Sequence, residues 1–378
     1  MTQSATPPSS GLWQPNRLER MYYGPSTVEK HLTSCLPSPT SKAFIITGSS
    51  LATKTSLVSQ VEKILGSQHH AGTFSNITQH APVAELDRAT DAVGKDSAID
   101  TLISIGGGSP IDSAKAISYR AHEKGGEFLY HITIPTTLSA AECTFGAGYT
   151  SKEGIKTLVV DSQLAPHVII YDAKFAVETP QRLLLSTAIR SLDHAVELMY
   201  HPTVTEMPAK ALALSAIEAL FTYLPKAKDE PQNEEYLTRL QLAAFSSLFP
   251  VGNGIAKGLG LSHSIGYALG SPYGIPHGIT SCLSLAGVVR LKAENPDDAA
   301  ELARILPFIG QNRSGDNKAD AFKVGDAIDG LINRLGLGST LKQYGVGEDQ
   351  IPKIAKLATK SEEGELYERV SSLVRSKL

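Results

Sequence analysis

The sequence is poor in several things, and each scarcity closes off a class of protein. Its three cysteines, Cys35, Cys143 and Cys282, are an odd and widely spaced set. They match neither a disulfide framework nor a paired zinc knuckle and point to a reducing compartment. Neither sign of charge dominates: 35 basic against 38 acidic side chains leave a net charge of −3. With no long run of one sign, nucleic acid and anionic membrane surfaces are disfavoured as partners. No apolar run reaches the length expected of a bilayer span. The opening MTQSATPPSSG is polar, rich in proline and serine, and lacks the apolar segment of a signal peptide, so a flexible leader is expected over residues 1–15.

What is present fits a folded enzyme. The chain is 42% hydrophobic and 19% charged, and its 378 residues exceed one typical core, so two domains are expected. Between Lys42 and Asp172 short Ile/Val-rich runs recur: AFIIT at 43–47, TLISI at 101–105, HITI at 131–134, TLVV at 157–160 and HVIIYD at 167–172. Separated by helical patterns and Gly/Ser clusters, they predict buried strands of a mainly parallel sheet. After Thr179-Pro180 the texture changes to long Ala/Leu-rich segments with helical spacing. Proline suits the first turn of a helix, which places a boundary between an α/β domain, residues 1–178, and an all-helical domain, residues 179–378. No internal repeat is visible.

The run at 101–105 leads straight into Gly106-Gly107-Gly108-Ser109-Pro110 and then a helical pattern. Bare glycines let a backbone approach a pyrophosphate, and the helix N-terminus attracts its charge. Three adjacent glycines also make an ordinary tight turn, and they are not the spaced fingerprint of the usual dinucleotide fold. Asp112 is expected to order the loop, and Lys115 reads as an ordinary solvated side chain.

The segment GGGSPIDSAKAI, followed by IPTTLSAAECT at 134–144, resembles the iron-containing alcohol dehydrogenase superfamily, especially its maleylacetate reductase branch. The likeness extends over nearly the whole chain. It implies a dehydroquinate synthase-like architecture: an α/β dinucleotide-binding domain with a mainly parallel sheet, followed by the all-α domain. It also implies a homodimer, and pyrophosphate binding at Gly106, Gly107, Gly108 and Ser109. Thr136, Thr137 and Leu138 are then expected against the cofactor, although hydroxyls there also suit a plain turn. Where relatives continue Gly-Thr-Gly-Ser-Glu, this chain has Ser139-Ala140-Ala141-Glu142, a bulkier loop. The run Thr47-Gly48-Ser49-Ser50 offers no acid to accept a ribose 2′-hydroxyl, which favours NADP over NAD, with Gly48 and Ser49 at the nucleotide.

Three histidines carry the second half of the resemblance: His194 in RSLDHAVE, His263 in GLGLSHSIGY and His277 in GIPHGIT. Related metal enzymes place an Asp four residues before the first of these; here that position is Arg190. Residues i and i+4 share a helix face, so a cation stands where a carboxylate should face the metal. Asp193 is turned about 100° away from His194 and is expected to pair with Arg190 or cap a neighbour. Two readings stay open. A zinc or iron ion is held by His194, His263 and His277, or the site works without metal and Arg190 binds a substrate carboxylate or a developing oxyanion. One turn after His263, Tyr267 replaces a histidine of many relatives and is either a proton donor or packing. His263 and His277 are the stronger acid–base candidates. The expected activity is NAD(P)H-linked carbonyl reduction or alcohol oxidation between the domains, with a non-redox lyase or cyclase on the same architecture as the alternative. The closing Ser376-Lys377-Leu378 after Arg375 has the form of a peroxisomal address read by an import receptor; cytoplasm is the alternative.

Overall fold

The computed structural model describes residues 12–152, 154, 156–254 and 258–378. Eight strands lie in the first half: β1 (Arg20–Tyr23), β2 (Lys42–Thr47), β3 (His70–Phe74), β4 (Ile99–Gly106), β5 (Tyr130–Pro135), β6 (Gly146–Thr150), β7 (Lys156–Val160) and β8 (Val168–Tyr171). Six form one sheet in the order β1-β8-β5-β4-β2-β3, and every pairing in it is parallel. The inner strands are buried almost throughout, as a sheet covered on both faces requires. Alternate side chains serve opposite cores. Ile45, Ile103, Ile105, Ile132 and Ile134 pack with Val58 and Leu65 on one face; Phe44, Ile46 and Leu102 pack with Leu86 and Ile117 on the other.

The sequence pattern misjudges four strands. β1, β3 and β6 went unseen because RMYY, HAGTF and GAGYT are only partly buried and carry glycine or polar residues. β7 pairs antiparallel with β6 in a separate hairpin instead of joining the sheet. Its TLVV reads as fully buried, yet Leu158 and Val160 are 63% and 54% exposed.

From Gln181 onward the described residues are helical with connecting turns. Pro180 stands at the N-cap of helix Gln181–Tyr200, the axis of a core that also draws on helices Ala211–Asp229, Glu234–Leu248 and His277–Lys292. One segment, Glu206–Asp229, is long and apolar enough by composition to cross a membrane, contrary to expectation. Its Ala213, Leu214, Ile217, Leu220 and Leu224 pack into the helical core. The expected leader falls partly outside the described residues. From Trp13 to Asn16 the chain is tied down: Trp13 Nε1 donates to Pro250 O (2.6 Å), Gln14 O accepts from Asn253 N–H (3.0 Å), and Asn16 Nδ2 donates to Cys143 O (3.3 Å).

Candidate active site

β2 and β4 are neighbours, yet the chain leaves β2 for β3 on one side and goes on to β5 on the other. Their C-terminal ends therefore border the crevice where an open parallel sheet takes its ligand. After β2, Gly48 is the N-cap of helix Ser49–Lys54, with Ser49 exposed. After β4, Gly106 turns at φ +136° and Gly107 is the N-cap of helix Gly108–Glu123. A Cβ on Gly107 would lie 3.0 Å from Thr137 Cγ2, so the bare glycine permits the turn to pack on the Thr136–Leu138 loop. Thr136 N–H donates to Gly106 O (2.9 Å) and Thr137 Oγ1 to Ser139 Oγ (3.2 Å). Asp112 Oδ2 accepts Gly148 N–H (3.0 Å), tying the hairpin to the helix, and Ser109 Oγ accepts His80 N–H (3.1 Å). Leu138 is placed differently from the expectation. Its side chain is buried in the helical core, its N–H donates to Thr187 Oγ1 (3.1 Å), and its carbonyl accepts from Ser191 Oγ.

The facing wall comes from helix Gln181–Tyr200, 16 of whose 20 residues are buried, so its polar side chains must find partners inside the protein. Arg190, Asp193, His194 and Glu197 follow the i, i+3, i+4, i+7 spacing of a single helix face. Asp193 Oδ2 accepts from Ser281 Oγ (2.6 Å) and Ser262 Oγ (2.9 Å) and lies 3.7 Å from Arg190 Nη1. Glu197 Oε1 accepts Ser262 N–H (2.6 Å) and the Tyr200 hydroxyl (3.3 Å); its Oε2 accepts Gly260 N–H (2.7 Å) and faces His263 Nδ1 at 2.7 Å. A Cβ on Gly260 would come within 2.6 Å of that carboxylate, so this approach needs glycine. An oxygen already receiving one N–H sets the imidazole tautomer: the proton sits on Nδ1, and Nε2 keeps its lone pair. His263 Nε2 is buried with no partner among the described residues.

Around this dyad, His194 stacks on His263 with centroids 4.9 Å apart, and Tyr267 meets His263 (6.4 Å) and His277 (6.3 Å) edge-on. Tyr267 is 47% exposed, and the Arg190 guanidinium lies 5.9 Å from its ring centroid. Burial raises the Glu197 carboxyl to about 7 against the pull of its two backbone N–H bonds. Burial, reinforced by Arg190, lowers His263 to about 3. His194 is pushed well below the usual value by burial, then His263 and Arg190; His277 by burial, then Lys156 and Arg190. Burial above all keeps the three imidazoles neutral, and one guanidinium bears on each of them in the same direction.

Comparison with known proteins supplies the family. Residues 19–173 match the iron-containing alcohol dehydrogenase family, and residues 184–370 match its C-terminal domain. The chain belongs to the iron-containing alcohol dehydrogenase family. It is an oxidoreductase. It is 28% identical over 369 residues to dehydrogenase ALT3 of Alternaria alternata, covering 84% of this chain and 92% of that one. To the maleylacetate reductase of Rhizobium sp. (strain MTP-10005) it is 28% identical over 291 residues, covering 76% and 75%. The crystal structure of that reductase superposes with a TM-score of 0.79 at 23% identity over 98% of both chains. A 1,3-propanediol oxidoreductase superposes at 0.85 with 21% identity, over 97% of this chain and 100% of that one.

The family name implies a metal, and the buried face can be tested for one. Among the described residues, one group of three side chains, Asp193, Glu197 and His263, brings ligand atoms within 4.8 Å of one another. It suits a dication poorly. Asp193 Oδ1 and His263 Nε2 are without hydrogen-bond partners among the described residues, but both Glu197 oxygens and Asp193 Oδ2 already face N–H or O–H hydrogens, and Arg190 stands 3.7 Å from Asp193. A dication there would meet a like charge in a low-dielectric interior. Of the expected tris-imidazole set only His263 belongs to this group; His194 Nδ1, His277 Nδ1 and His263 Nε2 are buried without hydrogen-bond partners among the described residues. His194 lies face to face with His263, and Tyr267 is in edge contact with both His263 and His277.

Sequence reasoning missed three residues of this site. Glu197 carried a signal, being three residues after His194 on the face shared with Arg190. Lys115, read as solvated, is 1% exposed and donates to Ala141 O (2.7 Å), Gly146 O (2.9 Å) and Thr144 Oγ1 (3.1 Å). It pins the loop after Thr137, and its alignment with Ile111, Ala114 and Ser118 on one buried face could have shown it. His80 sits in a polar loop that carries no such pattern.

Proposed function

We propose that this family member is an NADP-preferring enzyme that interconverts a carbonyl compound and its alcohol, or reduces an activated C=C, without a metal ion. The Glu197–His263 dyad beside Arg190 carries the reading. When bound, the nicotinamide nucleotide supplies or accepts the hydride. Gly106, Gly107 and Gly108 offer backbone N–H groups at a helix N-terminus for its pyrophosphate, Asp112 and Lys115 hold the surrounding loops, and Gly48 and Ser49 leave room for a 2′-phosphate with no acid to repel it. On the substrate, Arg190 opposes the negative charge that develops on oxygen, or pairs with a carboxylate. His263 Nε2, its lone pair free, takes the hydroxyl proton as the alcohol is oxidised, with Glu197 fixing the tautomer and stabilising the imidazolium so formed; in reduction that imidazolium, once charged from solvent, returns the proton to the oxygen. Tyr267 offers a phenol at the same opening.

Kinship to maleylacetate reductases supports reduction as the working direction. The deciding experiment is fluorescence titration of metal-stripped protein with NADPH and NADH, repeated after adding zinc or iron(II). Tight NADPH binding and turnover without metal is expected. Binding of neither nucleotide would overturn the reading, and activity only with added metal would overturn its metal-free part.

Two further proposals rest on sequence and kinship. The chain is imported into peroxisomes through Ser376-Lys377-Leu378. Because Leu341 N–H donates to Lys377 O (2.7 Å) and Leu378 packs partly buried, that tail must unwind to enter a receptor. Localisation of the chain with and without the tripeptide tests it. The chain also forms a homodimer, which sedimentation checks.

A further inference from the structure

The acid–base side chains named so far come from the helical half, but one imidazole in the cleft comes from the α/β half. His80 lies in the loop between β3 and helix Val83–Val93, with φ +66°, and Ala81 follows at φ +45°. Two successive non-glycine residues in the left-handed region are costly and persist only when the surroundings hold them. Here they do. Ser109 Oγ accepts the His80 N–H (3.1 Å), Thr150 Oγ1 donates to the His80 carbonyl (3.0 Å), and Thr150 N–H donates to Ala81 O (3.2 Å). The glycine turn and the hairpin thus clamp this loop from two sides.

The clamp presents the His80 ring edge-on to His277, centroids 4.8 Å apart at 90°. His80 Nε2 lies 3.2 Å from Gln79 Nε2, while His80 Nδ1 is buried with no hydrogen-bond partner among the described residues. His277 Cε1 and Nδ1 lie 3.1 and 3.2 Å from where a Gly270 Cβ would stand, and Nδ1 too is buried without a partner among the described residues. Burial, with Lys156 beside it, keeps His80 neutral. A buried ring nitrogen without a partner, on a strained and well-anchored loop facing the reaction site, is built to receive a polar atom from outside the protein.

We propose that His80 is a substrate-binding residue supplied by the α/β domain, hydrogen-bonding together with His277 to an oxygen of the substrate across the interdomain gap. The proposal rests on the oxidoreductase reading above and adds a residue of the other domain to its site. Substrate then touches both domains, so a loss at His80 falls on the substrate and not on the nucleotide.

Three variants separate binding from packing. His80→Phe keeps an aromatic edge against His277 but removes both nitrogens, His80→Asn keeps a polar group and tolerates the left-handed backbone, and His80→Ala removes both features. Each is assayed for NADPH affinity by fluorescence, for KM and kcat with the best carbonyl substrate, and for melting temperature. The expected result is a substrate KM raised about tenfold or more in Phe and Ala, NADPH affinity unchanged, and partial recovery in Asn. Wild-type KM in the Phe variant, or an Asn variant no better than Phe at equal melting temperature, would reduce His80 to packing and overturn the proposal. If Phe fails to fold, the comparison of Asn with Ala decides. A wild-type chain that binds neither nucleotide overturns the underlying reading instead, and the proposal with it.

Discussion

Replacing Glu197 with Gln tests the dyad most directly. The carboxylate receives N–H groups from Gly260, Ser262 and His263 and the Tyr200 hydroxyl, at 2.6–3.3 Å. An amide keeps one accepting oxygen and turns the other side into a donor. If its NH₂ group faces Ser262, a backbone N–H is stranded. If it faces Gly260 and His263, the Gly260 N–H is stranded and the imidazole must switch tautomer, moving its proton to Nε2. Either way one buried donor goes unpaired, at about 1–3 kcal/mol. For a domain of this size that is a fall in melting temperature of roughly 2–10 °C, reduced to the extent that a costly buried carboxylate is also removed. The kinetic effect is larger, because the negative charge that steadies the imidazolium is gone as well. A kcat lower by about 10²–10⁴-fold is expected, with NADPH affinity unchanged. Steady-state kinetics, nucleotide titration and a thermal melt measure the three quantities. A kcat within a factor of about 3 of wild type, under ~0.7 kcal/mol in barrier, would refute a proton-transfer role for the dyad.

Lys115→Met fills the same space without a donor and leaves the carbonyls of Ala141 and Gly146 only the longer contacts to Thr144 Oγ1 (3.2 and 3.4 Å) and Thr144 N–H (3.4 Å to Ala141 O). A loss of about 1–3 kcal/mol and weaker NADPH binding are expected, and an unchanged melt would contradict the loop-pinning role. Arg190→Met removes the cation opposite the substrate oxygen, and kcat/KM should fall by roughly 10²–10³-fold. Dialysis against a chelator should leave wild-type turnover intact, so inactivation that is rescued by zinc or iron would show that a metal does the work assigned to Arg190. Arg190→Asp restores a carboxylate four residues before His194 and should raise zinc affinity in calorimetry; no gain would mean that the histidines, and not the arginine, keep metal out. Ser49→Asp sets a negative charge at the end of β2 and should lower the NADPH/NADH ratio of kcat/KM by about 10–100-fold, the effect of ~1–3 kcal/mol of like-charge repulsion. An unmoved ratio would place the 2′-phosphate elsewhere.

Local pattern carried much of the architecture. Continuous Ile/Val runs marked β2, β4, β5 and β8 because a sheet covered on both faces buries nearly every residue of its inner strands. The glycine turn between β4 and its helix was legible because a left-handed φ at Gly106 and a close approach at Gly107 leave few other residues possible. That Arg190 stands where related metal enzymes carry an acid was legible from the resemblance, and the i, i+4 relation put it on the face of His194. Strands β1, β3 and β6 were not legible, since partly buried strands with glycine and polar residues have no distinctive period; the pairing of β7 was hidden because a hairpin partner lies in another segment.

The chemistry of the site was decided only by tertiary structure. The neighbours of Lys115 in its helix can show that its side chain is buried, but not that its ammonium finds two carbonyls and a hydroxyl about thirty residues further on. Glu197 acquires its meaning from Gly260, Ser262 and His263, more than sixty residues away. His80 becomes interesting only when Ser109 and Thr150 fix a strained loop against a helix of the other domain. Periodicity reports which face of an element is buried. It does not report which buried polar group another element will satisfy, and that pairing is what gives Glu197, Lys115 and His80 their places in this chain.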